Sequence, residues 1–174
     1  MRRFGPAILL LLVSLMAHAS PAKPDTNYDV TGWRRVEKSP DRIVVSGGAP
    51  LLTSDDGRLR LSANRMVLTM AGKEKGHQTI SIAEAVGGVK IHAVSGPGQQ
   101  VDAVCQKAVI HPSTQMAELT GSVKVKMIDR AKFSGAVELS GDTVSLNLKD
   151  GRAVATSGQS HSRLRTGPAS GKGH

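Results

Sequence analysis

The chain has 174 residues, with 23 Lys+Arg against 14 Asp+Glu, one Cys and an aromatic content of 2%. That length has room for about one domain, and a core with so few rings must be lined by aliphatic side chains. The same scarcity argues against nucleic acid as a partner, because modules that bind single strands stack bases on aromatic rings. Beyond the N-terminus only Tyr28, Trp33 and Phe133 could serve in that way.

Residues 1–19 have the order of a secretory signal peptide. Arg2 and Arg3 precede an apolar run over 7–16, and the small-residue motif Ala17-His18-Ala19 follows it. A membrane anchor is the alternative, but about 20 apolar residues are needed to span a bilayer, and this run is far shorter. We therefore expect cleavage before Ser20 and an exported protein.

The mature chain stays basic. Cleavage of the signal peptide would remove two of the 23 basic residues and no acid, so the net charge of the mature chain would be 21 minus 14, or +7. In an exported protein this charge favours anionic surfaces such as phosphorylated lipid or polysaccharide, with plain solubility as the alternative. Cys105 has no partner for an internal disulfide, so we expect it to be buried as a small hydrophobic residue.

Apolar and polar residues alternate from Ile43 to Thr156, which predicts an all-β domain over 41–157. Residues 20–40 are polar and contain three prolines, so they form an N-terminal arm with room for a short strand around 28–33. Residues 158–174 are rich in Gly, Ser and basic residues, which is typical of a disordered basic tail.

An internal repeat appears when small residues are used as anchors. The alternation changes phase around Ala63, Ala103 and Gly141, and a second unit with anchors Gly47, Gly87 and Gly121 interleaves with the first. Because side chains alternate with period two, such a change requires a bulge or a corner. Each period therefore predicts an out-and-back pair of bent strands.

Bent strand pairs with one apolar face must stack and fold over to bring two apolar walls together. The result is an elongated, open β-sandwich whose interior is either a slot for a ligand or an ordinary packed core. The wall residues predicted from the alternation are Leu59, Leu61, Met66, Leu68, Ile80, Ile82, Val89, Ile91, Ala108, Ile110, Leu119, Val123, Val125, Val137, Leu139, Val144, Leu146 and Leu148.

No standard catalytic or phosphate-binding motif is present. His77, His92 and His111 are too scattered for a compact metal site, so we expect neither a metal nor a cofactor. The acidic pair Asp55-Asp56 before Gly57, and the single acid Asp150 before Gly151, predict hairpin turns. A carbohydrate-active enzyme would need a convergent carboxylate pair, for which the outward acids are the source: Glu84, Asp102 and Glu138.

Basic residues alternate with the wall residues and so belong on the outer face or rim of the sheet. Four of them are weaker candidates for contacts with phosphate groups: Arg58, Arg60, Lys124 and Lys126. A solvated outer face is the alternative, because charged residues on outer faces and edges discourage aggregation.

Several segments resemble the OstA-like family. They are Leu59-Arg-Leu-Ser-Ala-Asn-Arg-Met, the glycine-containing turn at 73–76, Val101-Asp-Ala, Ala117-Glu-Leu-Thr-Gly-Ser-Val-Lys-Val, and Ser140-Gly-Asp-Thr-Val-Ser-Leu-Asn-Leu-Lys-Asp-Gly-Arg. The likeness covers about 41–156. The longer segment 126–133 and the interruption by Gln106 and Lys107 depart from the family pattern.

This resemblance implies a taco-like β-jellyroll whose apolar groove shields the acyl chains of lipopolysaccharide. It further implies a periplasmic, non-enzymatic carrier whose copies join edge to edge as a head-to-tail homo-oligomer. Such a bridge runs from an inner-membrane lipopolysaccharide extraction complex to an outer-membrane translocon. The alternative is an exported β-rich scaffold or adhesion module that binds proteins through its strand edges.

Overall fold

A computed structural model describes residues 27–72, 79–130, 135–157 and 161–165, with side chains through Thr156. The described chain is a single antiparallel sheet of twelve strands. The strands are β1 (Tyr28–Thr31), β2 (Arg35–Ser39), β3 (Arg42–Ser46), β4 (Leu51–Ser54), β5 (Leu59–Ser62), β6 (Arg65–Met70), β7 (Ile80–Gly96), β8 (Gln99–His111), β9 (Met116–Asp129), β10 (Ala136–Asn147), β11 (Ala153–Ser157) and β12 (His161–Arg165).

The sheet is folded into two walls because β7 to β10 are long enough to cross from one wall to the other. Wall 1 contains β1, β4, β5 and β12, with the segments 89–96, 99–105, 123–129 and 136–141 of the long strands. Wall 2 contains β2, β3, β6 and β11, with the segments 80–86, 106–111, 116–120 and 142–147. This confirms the predicted open β-jellyroll made of bent strand pairs.

The walls meet along a line that we call the corner, at 47–49, 63–64, 87–88, 105–106, 121–122 and 141–142. Pairing shifts register there in β7, β8, β9 and β10. Gly87 and Gly121 both have a φ of 81°, a conformation that residues with a Cβ rarely adopt. Across the corner the inward-facing positions change phase in β8 and β10 and keep their phase in β7 and β9, so both ends of each long strand turn their apolar side chains inward.

The corner lies where the repeat predicts it, except in β8. There the buried residues are Val101, Ala103 and Cys105 before the corner and Ala108 after it. The change of phase therefore falls at Gln106 and Lys107, just after the predicted anchor Ala103. The two residues that interrupt the repeat are the bulge of this strand.

Cys105 is buried beside the corner, as predicted. Burial raises the pKa of its thiol to about 11, and two backbone hydrogen bonds offset only part of that effect. The thiol is therefore protonated and unreactive at neutral pH in the folded protein.

The buried side chains of both walls form one contiguous aliphatic cluster, in which Leu61 of wall 1 and Leu146 of wall 2 are completely buried. Along the strands, the residues that alternate with this cluster point outward and are mostly polar. On β9, for example, Lys124 is exposed between the buried Val123 and Val125. One face of the sheet is thus apolar and the other solvated.

The sheet extends beyond the predicted domain limits of 41–157. The short strand expected around 28–33 is present as β1, and β2 also pairs within the sheet. The expectation of a disordered tail does not apply to residues 161–165, which form β12 on β10. Residues 1–26, the turn at 73–76 and Phe133 lie outside the described residues. Over the described ranges, no helix is long and apolar enough to cross a membrane.

Candidate functional site

The predicted wall residues lie on the inner faces of the two walls, with one exception. Those buried in the shared cluster are Leu59, Leu61, Met66, Leu68, Val89, Ile91, Ala108, Ile110, Leu119, Val123, Val125, Val144 and Leu146. Ile80, Leu139 and Leu148 are half-buried and pack against that cluster. Val137 is half-buried and lines a cavity at the edge of the interior.

Ile82 is the exception, and its predicted inward orientation is wrong. A register irregularity between β6 and β7 pairs Met70 with Ile80 but Thr69 with Ile82, so Ser81 is an extra residue. Because Ala83 and Ala85 are the buried residues that follow, Ile82 belongs to the outer face. The prediction assumed unbroken alternation between Ile80 and Ile82, so it missed this bulge and placed Ile82 on the wrong face.

The centre of the interior is packed by side chains of both walls, whereas free volume lies at the side opposite the corner. We call that side the mouth: there Leu59 and Ala93 of wall 1 lie near Ile110 and Leu148 of wall 2, and Val101 of wall 1 lies near Gly151 of wall 2. Two cavities open at the mouth, of about 330 Å³ and 370 Å³. Each is at the lower end of the range for small-ligand pockets, about 300–1,000 Å³.

The smaller cavity has an apolar floor and a polar rim. Leu59 and Ala93 of wall 1 face Ile110 and Leu148 of wall 2, with Tyr28 on the side of β1. The polar side chains that line it are Ser54, Asp56, Arg58, Ser95, Gln115 and Lys149. A basic side chain from each wall, Arg58 and Lys149, therefore borders an apolar space.

A hydrogen-bonded turn between β4 and β5 positions Arg58 at this rim. The buried Ser54 hydroxyl donates to Asp56 Oδ1 at 2.5 Å and accepts from the Leu59 backbone N–H at 2.9 Å. Asp56 Oδ1 also accepts from the Arg58 backbone N–H at 3.0 Å, and Arg58 Nε lies 3.6 Å from Asp56 Oδ2. This confirms the predicted turn at 55–57.

The same contacts change the acidity of the rim. The hydrogen bond from Ser54, followed by the Arg58 backbone N–H and the Arg58 charge, lowers the pKa of the Asp56 carboxyl, although partial burial opposes this. Burial, with added repulsion from Asp56 and Asp55, raises the pKa of the Tyr28 phenol. At neutral pH the rim therefore presents an ionised carboxylate, a neutral phenol and the Arg58 cation.

The larger cavity lies beside the turn between β10 and β11. Val101, Met127 and Val137 of wall 1 face Gly151 and Ala153 of wall 2 across it. Arg152 lines its rim, with Nε 3.4 Å from Asp150 Oδ2. Ser95 lines both cavities and so lies between them.

Of the four basic residues predicted to contact phosphate, only Arg58 lies at the mouth. Arg60, Lys124 and Lys126 are exposed on the outer face of wall 1, which the alternation predicted. Sequence reasoning missed Lys149 and Arg152, which also line the mouth cavities. Both residues flank the predicted turn at 150–151. This was the signal available in the sequence, because turns at the ends of strands line the mouth.

The outward acids lie on the outer faces of the two walls, where Asp102 and Glu138 line one cavity of about 500 Å³ together with Lys124 and Lys126. Glu84 Oε2 lies 4.0 Å from Lys107 Nζ. Asp102 Oδ1 is 2.7 Å from His92 Nδ1, and its Oδ2 accepts from Gln100 Nε2 at 2.7 Å. Glu138 is separated from Asp102 by Lys126, which pairs with both in the sheet. Among the described residues, no group of three or more His, Cys, Asp or Glu side chains is arranged to hold a metal ion.

Comparison with known proteins identifies this architecture. The family described as LptA/(LptD N-terminal domain) LPS transport protein matches residues 53–152. Among solved structures, the fold is similar to LptH, the LptA homologous periplasmic component of the lipopolysaccharide transport device from Pseudomonas aeruginosa. That match has a TM-score of 0.66 and 12% sequence identity, covering 83% of this chain and 99% of LptH. No curated protein matches the sequence.

The family match spans more than half of the chain and includes most of the residues that line the two mouth cavities and most of the corner. It agrees with the resemblance to the OstA-like family that the motifs carry. This chain therefore belongs to the LptA/LptD N-terminal domain family of lipopolysaccharide-transport proteins.

Proposed function

We propose that this protein is a periplasmic, non-enzymatic carrier that binds lipopolysaccharide, with the acyl chains between its walls and the head group at its mouth. The observation that carries this is an aliphatic interior with a cavity at its mouth that is lined by basic side chains from both walls, Arg58 and Lys149. A signal-like N-terminus and the periplasmic origin of LptH support the location.

The chemistry of the walls suits saturated chains. The buried cluster consists of Val, Leu, Ile, Met, Ala and one Cys, with no ring among its fully buried members. Removing a methylene from water contributes about 0.8 kcal/mol, so several acyl chains supply tens of kcal/mol in gross terms. Part of this is offset by ordering the lipid and by separating side chains that now touch.

The rim suits a phosphorylated head group. Arg58 and Lys149 come from opposite walls and line the same cavity, so an anion there is attracted to both. A charge-assisted contact of this kind orients the lipid with its head outward. Arg152 supplies a third cation at the neighbouring cavity.

The edges of the sheet support a role in a bridge. β1 and β2 form its N-terminal edges and β11 and β12 its C-terminal edges, and every residue of β2 is exposed. Unpaired edge strands are templates for strand addition. We therefore propose a head-to-tail homo-oligomer that links an inner-membrane extraction complex to an outer-membrane translocon.

A melting experiment tests the binding. Purified lipopolysaccharide should raise the melting temperature of the mature protein, because a ligand that binds only the folded state stabilises it. Lipopolysaccharide stripped of its acyl chains is the control and should produce little change. Equal shifts with both would show that the head group alone is bound and would contradict an acyl-binding interior.

A photoreactive residue locates the lipid. Leu148 lines the mouth, whereas Val86 is 42% exposed on the outer face near the corner. Lipopolysaccharide adducts should form at position 148 and not at 86. Absent labelling at both, with no thermal shift, would instead favour the scaffold or adhesion module that binds proteins through its edges.

A further inference from the structure

The two mouth cavities are divided by one contact between the walls. An ideal Cβ built on Gly151, in the turn after β10, would lie 3.2 Å from both Ser95 Oγ and Val101 Cγ2. The turn of wall 2 thus rests directly on wall 1, and only a residue without a Cβ fits there easily. We call this contact the seam.

The seam contains a polar atom that its surroundings do not satisfy. Ser95 Oγ is buried and has no hydrogen-bond partner among the described residues. A buried, unpaired hydroxyl is unfavourable relative to a hydrated one. The closed seam is therefore less stable than an apolar contact of the same shape would be.

The wall 2 side of the seam is a unit held by its own hydrogen bonds. Gly151 N donates to Asn147 O at 2.9 Å and Asn147 N donates to Arg152 O at 2.8 Å. Leu148 N donates to Gln115 O at 2.8 Å, which fixes the turn to the residue just before β9 of the same wall. None of these bonds would break if the turn moved away from Ser95.

We infer that the Ser95–Gly151 seam opens to admit acyl chains sideways into the interior. Opening joins the two cavities into one continuous slot along the mouth and hydrates the Ser95 hydroxyl. Each cavity alone has the volume of a small-ligand pocket, about 330 Å³ and 370 Å³, which is too little for a lipid with several chains. The inference rests on the proposed function, because it names the route by which that ligand enters.

Thiol reactivity tests opening without any lipid. In a Cys105→Ala background, Ser95→Cys places a thiol at the seam, while the native Cys105 of the unmodified chain is a buried thiol beside the corner. Rates of maleimide modification are normalised to those of the same chains in denaturant. We expect the thiol at 95 to react at least tenfold faster than Cys105 under native conditions. Equal normalised rates would mean that the seam opens only on global unfolding and would overturn the inference.

A reversible cross-link tests whether lipid uses the seam. Ser95→Cys with Gly151→Cys, also in the Cys105→Ala background, lies within reach of disulfide geometry. We expect the oxidised form to lose the thermal shift with lipopolysaccharide and the reduced form to recover it. The matched control is Lys90→Cys with Val104→Cys, a neighbouring pair on the outer face of wall 1, whose oxidation should leave the shift unchanged.

The outcomes separate the two proposals. If the oxidised and reduced seam variants bind lipopolysaccharide equally, the seam is not the route, although the proposed function stands. If the unmodified protein shows no shift at all, the proposed function fails, whatever the thiol at 95 reports. If the disulfide does not form, the reactivity of the single Ser95→Cys variant still decides whether the seam opens.

Discussion

Gly121 of β9 lies directly against Gln106 of β8 at the corner: a Cβ on Gly121 would be 2.8 Å from Gln106 Cβ and 3.0 Å from its Cγ. Gly121 also has a φ of 81°. Two separate constraints, backbone conformation and close approach, therefore require glycine at this point of the fold.

Gly121→Ala should lower the free energy of unfolding by about 2 kcal/mol or more, since it adds a steric clash to backbone strain. Chemical denaturation measures the loss. Gly57→Ala is the matched control, because Gly57 has a φ of 68° but nothing within 4 Å of its Cβ position. Equal losses in both variants would show that the contact with Gln106 contributes nothing.

Truncation of one interior side chain from either wall should be costly. Leu61→Ala and Leu146→Ala each remove a completely buried side chain, and such changes typically cost about 2–5 kcal/mol. Val104→Ala, at a position 43% exposed on the outer face, should change stability by about 0.5 kcal/mol or less. Urea denaturation compares the three variants, and a small loss for Leu146 would mean that wall 2 is not packed against wall 1.

The buried hydroxyl of Ser95 at the seam predicts that its removal stabilises the protein, whereas most substitutions destabilise. Ser95→Ala should raise the free energy of unfolding by up to about 1 kcal/mol, because it removes a buried group without a hydrogen bond. Ser81→Ala is the contrasting variant, since its hydroxyl donates to Thr69 O at 3.0 Å. That change should lower stability by about 1 kcal/mol. A loss in both variants would indicate that the Ser95 hydroxyl is satisfied in solution.

The turn at the rim predicts a pH dependence. Because the pKa of Asp56 is lowered in the folded protein from its usual 3.8, the unfolded chain binds the proton more readily. The stabilisation is therefore complete above that usual pKa and is lost as pH falls through the lowered one. Its size is modest, since the Asp56 side chain is 47% exposed.

Melting curves between about pH 2 and pH 6 measure this effect. Asp56→Asn should flatten part of the profile. Ser54→Ala, which removes the largest cause of the shift, should move the loss of stability to higher pH. If both variants had the same dependence of stability on pH as the unmodified protein, the proton affinity of Asp56 would not change on folding.

The rim cations predict a salt-dependent contribution to lipid binding. Arg58→Ala and Lys149→Ala should each weaken the thermal shift produced by lipopolysaccharide, and the difference should shrink at high ionic strength. Lys90→Ala, on the outer face of wall 1, removes the same charge away from the mouth. If it weakened binding equally, general attraction and not the rim would be responsible.

The repeat in the sequence predicts the walls and the corner because both depend on local alternation and on small residues at fixed spacing. Ile82 was assigned to the wrong face because Ser81 forms a bulge that no glycine or proline marks. The rim residue Lys149 and the orphan hydroxyl of Ser95 depend on which strand ends meet across the mouth. That is set by the folding of the whole sheet, so no local pattern contains it. The strand at 161–165 was missed because its composition is polar, and its pairing with β10 decides its conformation.

Trp33, the single tryptophan of the sequence, lies between β1 and β2 at the N-terminal edge, where it is 43% exposed and donates from its indole to Val30 O. It is therefore placed away from the mouth and next to the strands that a neighbouring molecule would pair with. If copies join through these edges as proposed, the intrinsic fluorescence of Trp33 should change on assembly, whereas an added dye would follow the proposed lipid binding independently.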